Sequence, residues 1–305
     1  MAAAAGQHDP QKVGKEPENR DASGANASPV VSAVELPAGA IRREQANARE
    51  KRFLERVERR VANIDRIFHP PDKKFYSFRG ARREFSDPYT LVAETLRRLG
   101  IFEPALLDQL PHNRVLRYSV GGGGWLRKKK PKVVLCAAVQ SPVEDLARFG
   151  GTVTPLGRGA VQAVVEQYVK DSDTYYLIGV LSTVGWEDSL WETPPRGDNY
   201  AVLLIEETAS GAWRVEHSLV PELAPIAAVF DPEDHDEKTA RVYYWVTNHV
   251  ELRIPGGHTD VERALEELRV DRATFDKALA QIAQEDSALK VETVGGREIL
   301  KRDRY

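Results

Sequence analysis

The chain has 305 residues, 42% of them hydrophobic, with 43 Lys and Arg against 46 Asp and Glu and a formal net charge of −3. That length allows roughly two domains around a sizeable core, and no apolar stretch approaches the roughly 20 residues needed to cross a bilayer. The single cysteine, Cys136, excludes an intrachain disulfide and makes a reducing, cytoplasmic setting the expectation.

The near-neutral sum hides two opposed halves. Ile41 to Lys132 carries 23 Lys and Arg against 11 Asp and Glu, whereas Val133 to Tyr305 carries 17 against 30. A basic segment of that size calls for an anionic partner: nucleic acid, an acidic protein surface, a lipid headgroup, or the acidic half of the same chain.

Residues 1–40 mix Ala, Gly, Ser, Pro and both charges without a period, and are expected to be a disordered tail. The opening MAAAAGQHDPQK lacks the basic-then-apolar order of a secretory leader. From Ile41 the chain turns to arginine-rich helix grammar. Leu54, Val57, Val61, Ile64 and Phe68 recur at spacings of three and four, which predicts an apolar stripe ended by His69-Pro70-Pro71. That stripe either packs on its own domain or forms a self-association seam over 53–68.

KKFYSFRGARREF interleaves aromatics with cations, the pattern that stacks bases and tracks phosphates, although a solvated loop with buried aromatics reads the same way. DPYTLVAETLRRLG predicts a helix with Asp87 as cap and Gly100 past its end. FEPALLDQL predicts a second, shorter one. Gly121 to Gly124 form a hinge before Arg127, Lys128, Lys129, Lys130 and Lys132, which could contact phosphates or stand solvated beside a strand entry.

After Pro131 the grammar is α/β. KVVLCAAVQ and TYYLIGVLST read as buried strands, SPVEDLARFGG as a helix capped by Ser141, TVTPL as a brief strand and GRGAVQAVVEQYVKD as a helix. YAVLLIEET and AWRVEHSL predict an antiparallel hairpin at the edge of the same sheet. Cys136 is expected to be a small core residue. Ligands of open α/β sheets sit beyond the strand ends, which singles out Gly157-Arg158-Gly159 as an anion turn and Glu187, Asp188 and Glu206 as candidate catalytic carboxylates able to hold Mg²⁺ or exchange protons. Each has a plain alternative, a packing turn in the first case and first-turn helix acids in the second. The acidic run Asp231 to Glu237 fails the calcium-loop pattern and is expected to be a solvated connector. The seven histidines show no zinc spacing. No metal or cofactor is expected.

Thr259-Asp-Val-Glu262 reads as a capping box; Val270-Asp271-Arg272-Ala273-Thr274-Phe275 reads as the entry to a further helix, and Gly295-Gly296 turns between two short strands. These features resemble a winged helix-turn-helix domain. The resemblance implies DNA binding, with Arg272, Thr274, Lys277 and Gln281 on the open face of a recognition helix and Arg297 on the wing. Its first helix or first strand falls within Asp236 to Ile254. The turn carries Arg269 where the family commonly has glycine, and Thr259 to Tyr305 holds 11 acids against 9 bases, so direct duplex reading and protein contact both stand.

The expected layout is therefore an α/β protein: a tail over 1–40, a basic helical segment over 41–132, a central α/β domain over 133–235 and a winged-helix-like module over 236–305. Its expected role is nucleic-acid association, non-catalytic or regulatory, with phosphate contacts from 41–132. A metal-dependent nuclease or hydrolase and a protein assembly factor are the alternatives; the sequence specifies no reaction and no membrane partner.

Overall fold

The computed structural model describes residues 36–121, 130–208 and 211–303, so most of the expected tail and Arg127, Lys128 and Lys129 lie outside the described residues. β1 (Ile41–Arg42) leads into α1 (Arg43–Val61), β2 (Arg66–His69), β3 (Lys74–Ser77), β4 (Arg82–Ser86), α2 (Tyr89–Arg98), α3 (Ala105–Gln109) and β5 (Val115–Val120). Next come β6 (Val133–Gln140), α4 (Val143–Phe149), β7 (Gly151–Thr152), α5 (Arg158–Tyr168), β8 (Tyr175–Ser182), β9 (Arg196–Gly197), β10 (Tyr200–Glu207) and β11 (Trp213–His217). The chain closes with α6 (Ala224–Phe230), α7 (His235–Asn248), β12 (His258–Asp260), α8 (Val261–Leu268), α9 (Arg272–Glu285), β13 (Leu289–Val294) and β14 (Arg297–Arg302).

The fold is α/β. Its main sheet runs β11-β10-β8-β6-β5-β4, with β9 beside β10. β6, β8 and β10 are parallel, and β11, β5 and β4 extend the sheet antiparallel on either side. The continuous apolar runs of β6 and β8 follow from cover on both faces. On one face, Phe53 and Val57 of α1 and Phe230 of α6 pack on Leu135, Leu177 and Leu203; on the other, Val161 and Val164 of α5 pack with Cys136, Ile178 and Leu204. α6 approaches β8 closely because Gly179 has no side chain: a Cβ there would lie 2.2 Å from the Phe230 ring.

Several expectations change. α1 stops at Val61, and Arg66 to His69 form β2 rather than a last helical turn: Ile67 is buried while Phe68 lies opposite Phe75 of β3, a period of two that the helical spacing had concealed. Phe53, Leu54, Val57 and Val61 are buried against the chain's own sheet, so the 53–68 stripe is not an open self-association seam. The boundary expected at 132/133 falls between the paired strands β5 and β6, since β4 and β5 of the basic segment belong to the main sheet. Pro88, not Asp87, takes the N-cap position of α2, and Pro142, not Ser141, that of α4. β7 pairs with β1, away from the main sheet.

From α7 onward the order is helix, strand, helix, helix, strand, strand, with an antiparallel sheet ordered β12-β14-β13. Val242, Val246, Phe275, Ile282 and Leu300 share its core. RVYYWV is helical despite its β-prone residues because Val242 and Val246, one turn apart, both face that core. Asp260 rather than Thr259 caps α8, accepting from the Arg263 N–H at 3.1 Å, while Thr259 is buried in β12. Among the described residues no helix is long and apolar enough to cross a membrane.

Candidate nucleic-acid interface

Helical periodicity lays Arg49, Arg52, Arg56 and Arg60 along one side of α1, and the acidic half of the chain meets all four. Arg49 donates from Nε to Glu207 at 2.9 Å and from Nη1 to the Thr183 carbonyl at 2.8 Å, while Arg52 lies 3.8 Å from the same Glu207 carboxylate. Arg56 binds Asp234 at 3.1 Å and also Glu237, and Arg60 donates to the carbonyls of Ala228 at 2.9 Å and Glu233 at 2.5 Å. The run Asp231 to Glu237 is thus no solvated connector. Asp234 and Glu237 form the capping box of α7, Asp231 pairs with Lys238, and Glu233 takes Arg241 through two hydrogen bonds of 2.9 and 2.8 Å. The Glu237 backbone N–H, reinforced by Arg56, holds the Asp234 carboxyl below the usual carboxylate range.

The β2–β3 hairpin is arranged the opposite way. Its register sets Arg66 opposite Ser77 and Phe68 opposite Phe75, which puts these four side chains on one face. Phe75 is 47% exposed, its ring centroid 5.1 Å from that of Phe68, and the Arg66 guanidinium sits 4.6 Å from its centre. Arg66, Lys73 and Lys74 have no carboxylate partner among the described residues. The hairpin's other face is anchored: Ile67 is buried and Tyr76 donates to Asp72 at 2.6 Å. That hydroxyl, with the Lys132 ammonium at 3.0 Å, brings the Asp72 carboxyl down to about 2.

Two clefts border the hairpin. One, of about 600 Å³, includes Arg60, Arg66, Asp234 and Thr274 in its lining. The other, of about 630 Å³, is lined by Ser77, Arg79, Arg82, Glu84, Arg117 and Ser119 among others. Arg66 lines the first and its register partner Ser77 the second, so both clefts reach the ladder pair next to Phe68 and Phe75 on the same face of the hairpin. On β4 a second ring, Phe85, is 49% exposed with the Arg83 guanidinium 5.7 Å from its centre.

The expected phosphate contacts are only partly available. Lys130 pairs with Asp171 and Lys132 with Asp72, while Arg127, Lys128 and Lys129 lie outside the described residues. Arg272 is held between Asp276, at 2.8 Å, and Glu298, and Lys277 lies 3.1 Å from Asp236. Thr274 is fully buried, donating from Oγ1 to Asp271 at 2.8 Å, so it does not lie on the open face of α9. The reason is local: Asp271 caps α9 and turns Thr274 inward. Gln281 and Arg297 are exposed; the same side of α9 also carries Asp276, Gln284 and the short Ala273, Ala280 and Ala283, so it presents no cation free of a carboxylate among the described residues.

The strand-end carboxylates do not converge into a metal site: among the described residues no group of three His, Cys, Asp or Glu side chains is placed to hold one. Glu206 accepts from the Trp186 N–H at 2.8 Å and its burial raises its pKa; Asp188 opens a short 3₁₀ turn. Glu187 packs its carboxylate on Gly157, so the turn read as an anion site is occupied by the chain's own acid. Cys136 is buried, its thiol pushed up to about 12 by desolvation.

One polar centre escaped sequence reasoning. Glu50 is fully buried and accepts from the backbone N–H groups of His112 and Arg114 at 2.8 and 2.7 Å and from the Arg114 guanidinium at 2.9 Å, with Asp87 on the far side of Arg114 at 2.8 Å. The signal was its place on the apolar stripe, one turn before Leu54. Burial raises its pKa against these hydrogen bonds, which marks an anchor of α1 to the chain before β5.

Comparison with family models, with curated proteins and with solved structures finds no match.

Proposed function

We propose that the protein is a nucleic-acid-associated, non-catalytic protein that holds a single strand against the β2–β3 hairpin. The observation that carries this reading is the exposed Phe75 ring, flanked by Phe68 and covered by Arg66, on a hairpin whose Arg66, Lys73 and Lys74 have no internal carboxylate partner among the described residues. An aromatic platform with one unpaired cation on its face and two more at the turn and the reverse side of the same hairpin stacks a base on its π-face and meets the adjoining phosphates. The phosphate contacts then come from the hairpin, not from the Arg49, Arg52, Arg56 and Arg60 side of α1, which is already matched.

The order of elements over 235–302 supports the winged-helix-like reading of the C-terminus. With Arg272 and Lys277 paired and alanines on the open side of α9, that module serves protein contact or domain packing in this proposal rather than duplex reading.

Fluorescence anisotropy with a labelled single-stranded oligonucleotide and its duplex tests the proposal. The single strand is expected to bind more tightly, and joint reversal of Arg66, Lys73 and Lys74 to Glu is expected to weaken binding and reduce its salt slope by about two. Binding by the triple variant equal to that of the parent chain sinks the hairpin reading.

A further inference from the structure

We propose, resting on the hairpin reading above, that the cleft beside β3 receives the terminal phosphate of the bound strand. Four of its side chains form a compact patch, because Arg82 lies opposite Ser119 and Glu84 opposite Arg117 in the β4–β5 register, and alternate residues of paired strands share one face. α5 does not cover this corner of the sheet; its last residue, Tyr168, reaches only as far as Arg117, whose guanidinium lies 5.9 Å from the ring centre. Among the described residues the patch is therefore open, polar and cationic.

Charge selects the ligand. Arg79, Arg82 and Arg117 face the cleft against the single carboxylate Glu84, leaving about +2, which suits a phosphomonoester carrying about −1.5 to −2 better than a mid-chain diester. Arg79 has its own partner in Asp65 at 3.0 Å, but these side chains are 82% and 76% exposed, so solvent screens the pair. Glu84 now bridges the patch, one oxygen 3.1 Å from Arg82 and the other 3.7 Å from Arg117, much as two oxygens of a phosphate would. Arg117 has no carboxylate partner nearer than Glu84 among the described residues, so its guanidinium has donors to spare for a ligand oxygen. Ser77 and Ser119 add hydroxyl donors.

Position links the cleft to the stacking face. Ser77 lines the cleft and stands two residues from Phe75 on the same side of β3, about 7 Å along the strand. A terminal phosphate seated on the arginines thus places a nearby base at Phe75.

The test compares one oligonucleotide in three forms: 5′-phosphorylated, 3′-phosphorylated and unphosphorylated. One phosphorylated end is expected to bind about tenfold more tightly than the unphosphorylated strand. Arg82→Ala, at an exposed edge position, and Arg117→Met are expected to remove that increment while leaving binding of the unphosphorylated strand in place. Glu84→Gln is expected to enlarge it, which a merely structural carboxylate would not do. Equal affinity for all three forms overturns the phosphate cleft and leaves the hairpin reading standing; no binding of any form overturns both. A phosphorylated peptide that binds as tightly as the phosphorylated strand overturns the assignment to nucleic acid.

Discussion

α1 and the β2–β3 hairpin draw on the same arginine-rich stretch of chain and use it in opposite directions. On α1 the 3.6-residue period collects Arg49, Arg56 and Arg60 on a side that faces Glu207, Asp234 and the carbonyls around Glu233, so positive charge fastens the acidic half to the sheet. On the hairpin the two-residue period turns Arg66 and Phe75 to the same open face, with no acid opposite. Local charge density does not distinguish the two. What decides is whether the fold brings a carboxylate within reach.

Substitutions can sharpen that contrast. The largest expected effect belongs to Glu50→Ala, which leaves Nη1 of Arg114 and the N–H groups of His112 and Arg114 without their acceptor, Asp87 holding only Nε of Arg114; a loss of about 3 kcal/mol is expected by denaturant unfolding. A change under about 0.5 kcal/mol would show that this anchor is dispensable. Arg56→Ala combined with Arg60→Ala is expected to cost about 2 kcal/mol and to leave oligonucleotide affinity unchanged. Weakened binding in that variant would erase the distinction between helix and hairpin. Phe75→Ala is expected to do the reverse, lowering affinity about tenfold with little shift in unfolding midpoint.

The smallest effect is set by pH. The Asp72 carboxyl titrates at about 2 in the folded protein, below its ordinary 3.8, so its contribution is present above the ordinary value and is lost as pH falls through the folded one. Asp72→Asn is expected to flatten that part of the acid-unfolding curve, and a carboxyl midpoint near 3.8 by NMR would remove the Tyr76 and Lys132 contacts as its cause.

Strands buried on both faces were legible because continuous apolar runs such as VVLCAAV need nothing beyond their own residues to be recognised. The β10–β11 hairpin was legible for a similar reason, since its alternation and turn are adjacent in the chain. The segment after Val61 was not. Ile64 and Phe68 satisfy a helical spacing, and only the pairing of Phe68 with Phe75 settles the strand. RVYYWV misled in the other direction, because its helical state depends on the core shared with Phe275 and Ile282.

The candidate site divides along the same line. That aromatics and cations alternate over 73–85 is visible in the residues, and Phe75 and Phe85 do emerge exposed. That Lys130, Lys132 and Arg272 have carboxylate partners depends on Asp171, Asp72 and Glu298, which no local rule connects to them. The inward turn of Thr274 depended on recognising Asp271 as its cap partner rather than counting faces of an isolated helix.

The missing side chain at Gly179 has a longer reach than its size suggests. Phe230 is the last residue of α6, and Asp231, directly after it, begins the acidic stretch that Arg56 and Arg60 grip. A single methyl at position 179 would lift the ring off the sheet and draw that stretch out of register with its arginines. The spacing of the last seventy or so residues from the rest of the protein is therefore gauged by one hydrogen atom in the middle of a strand.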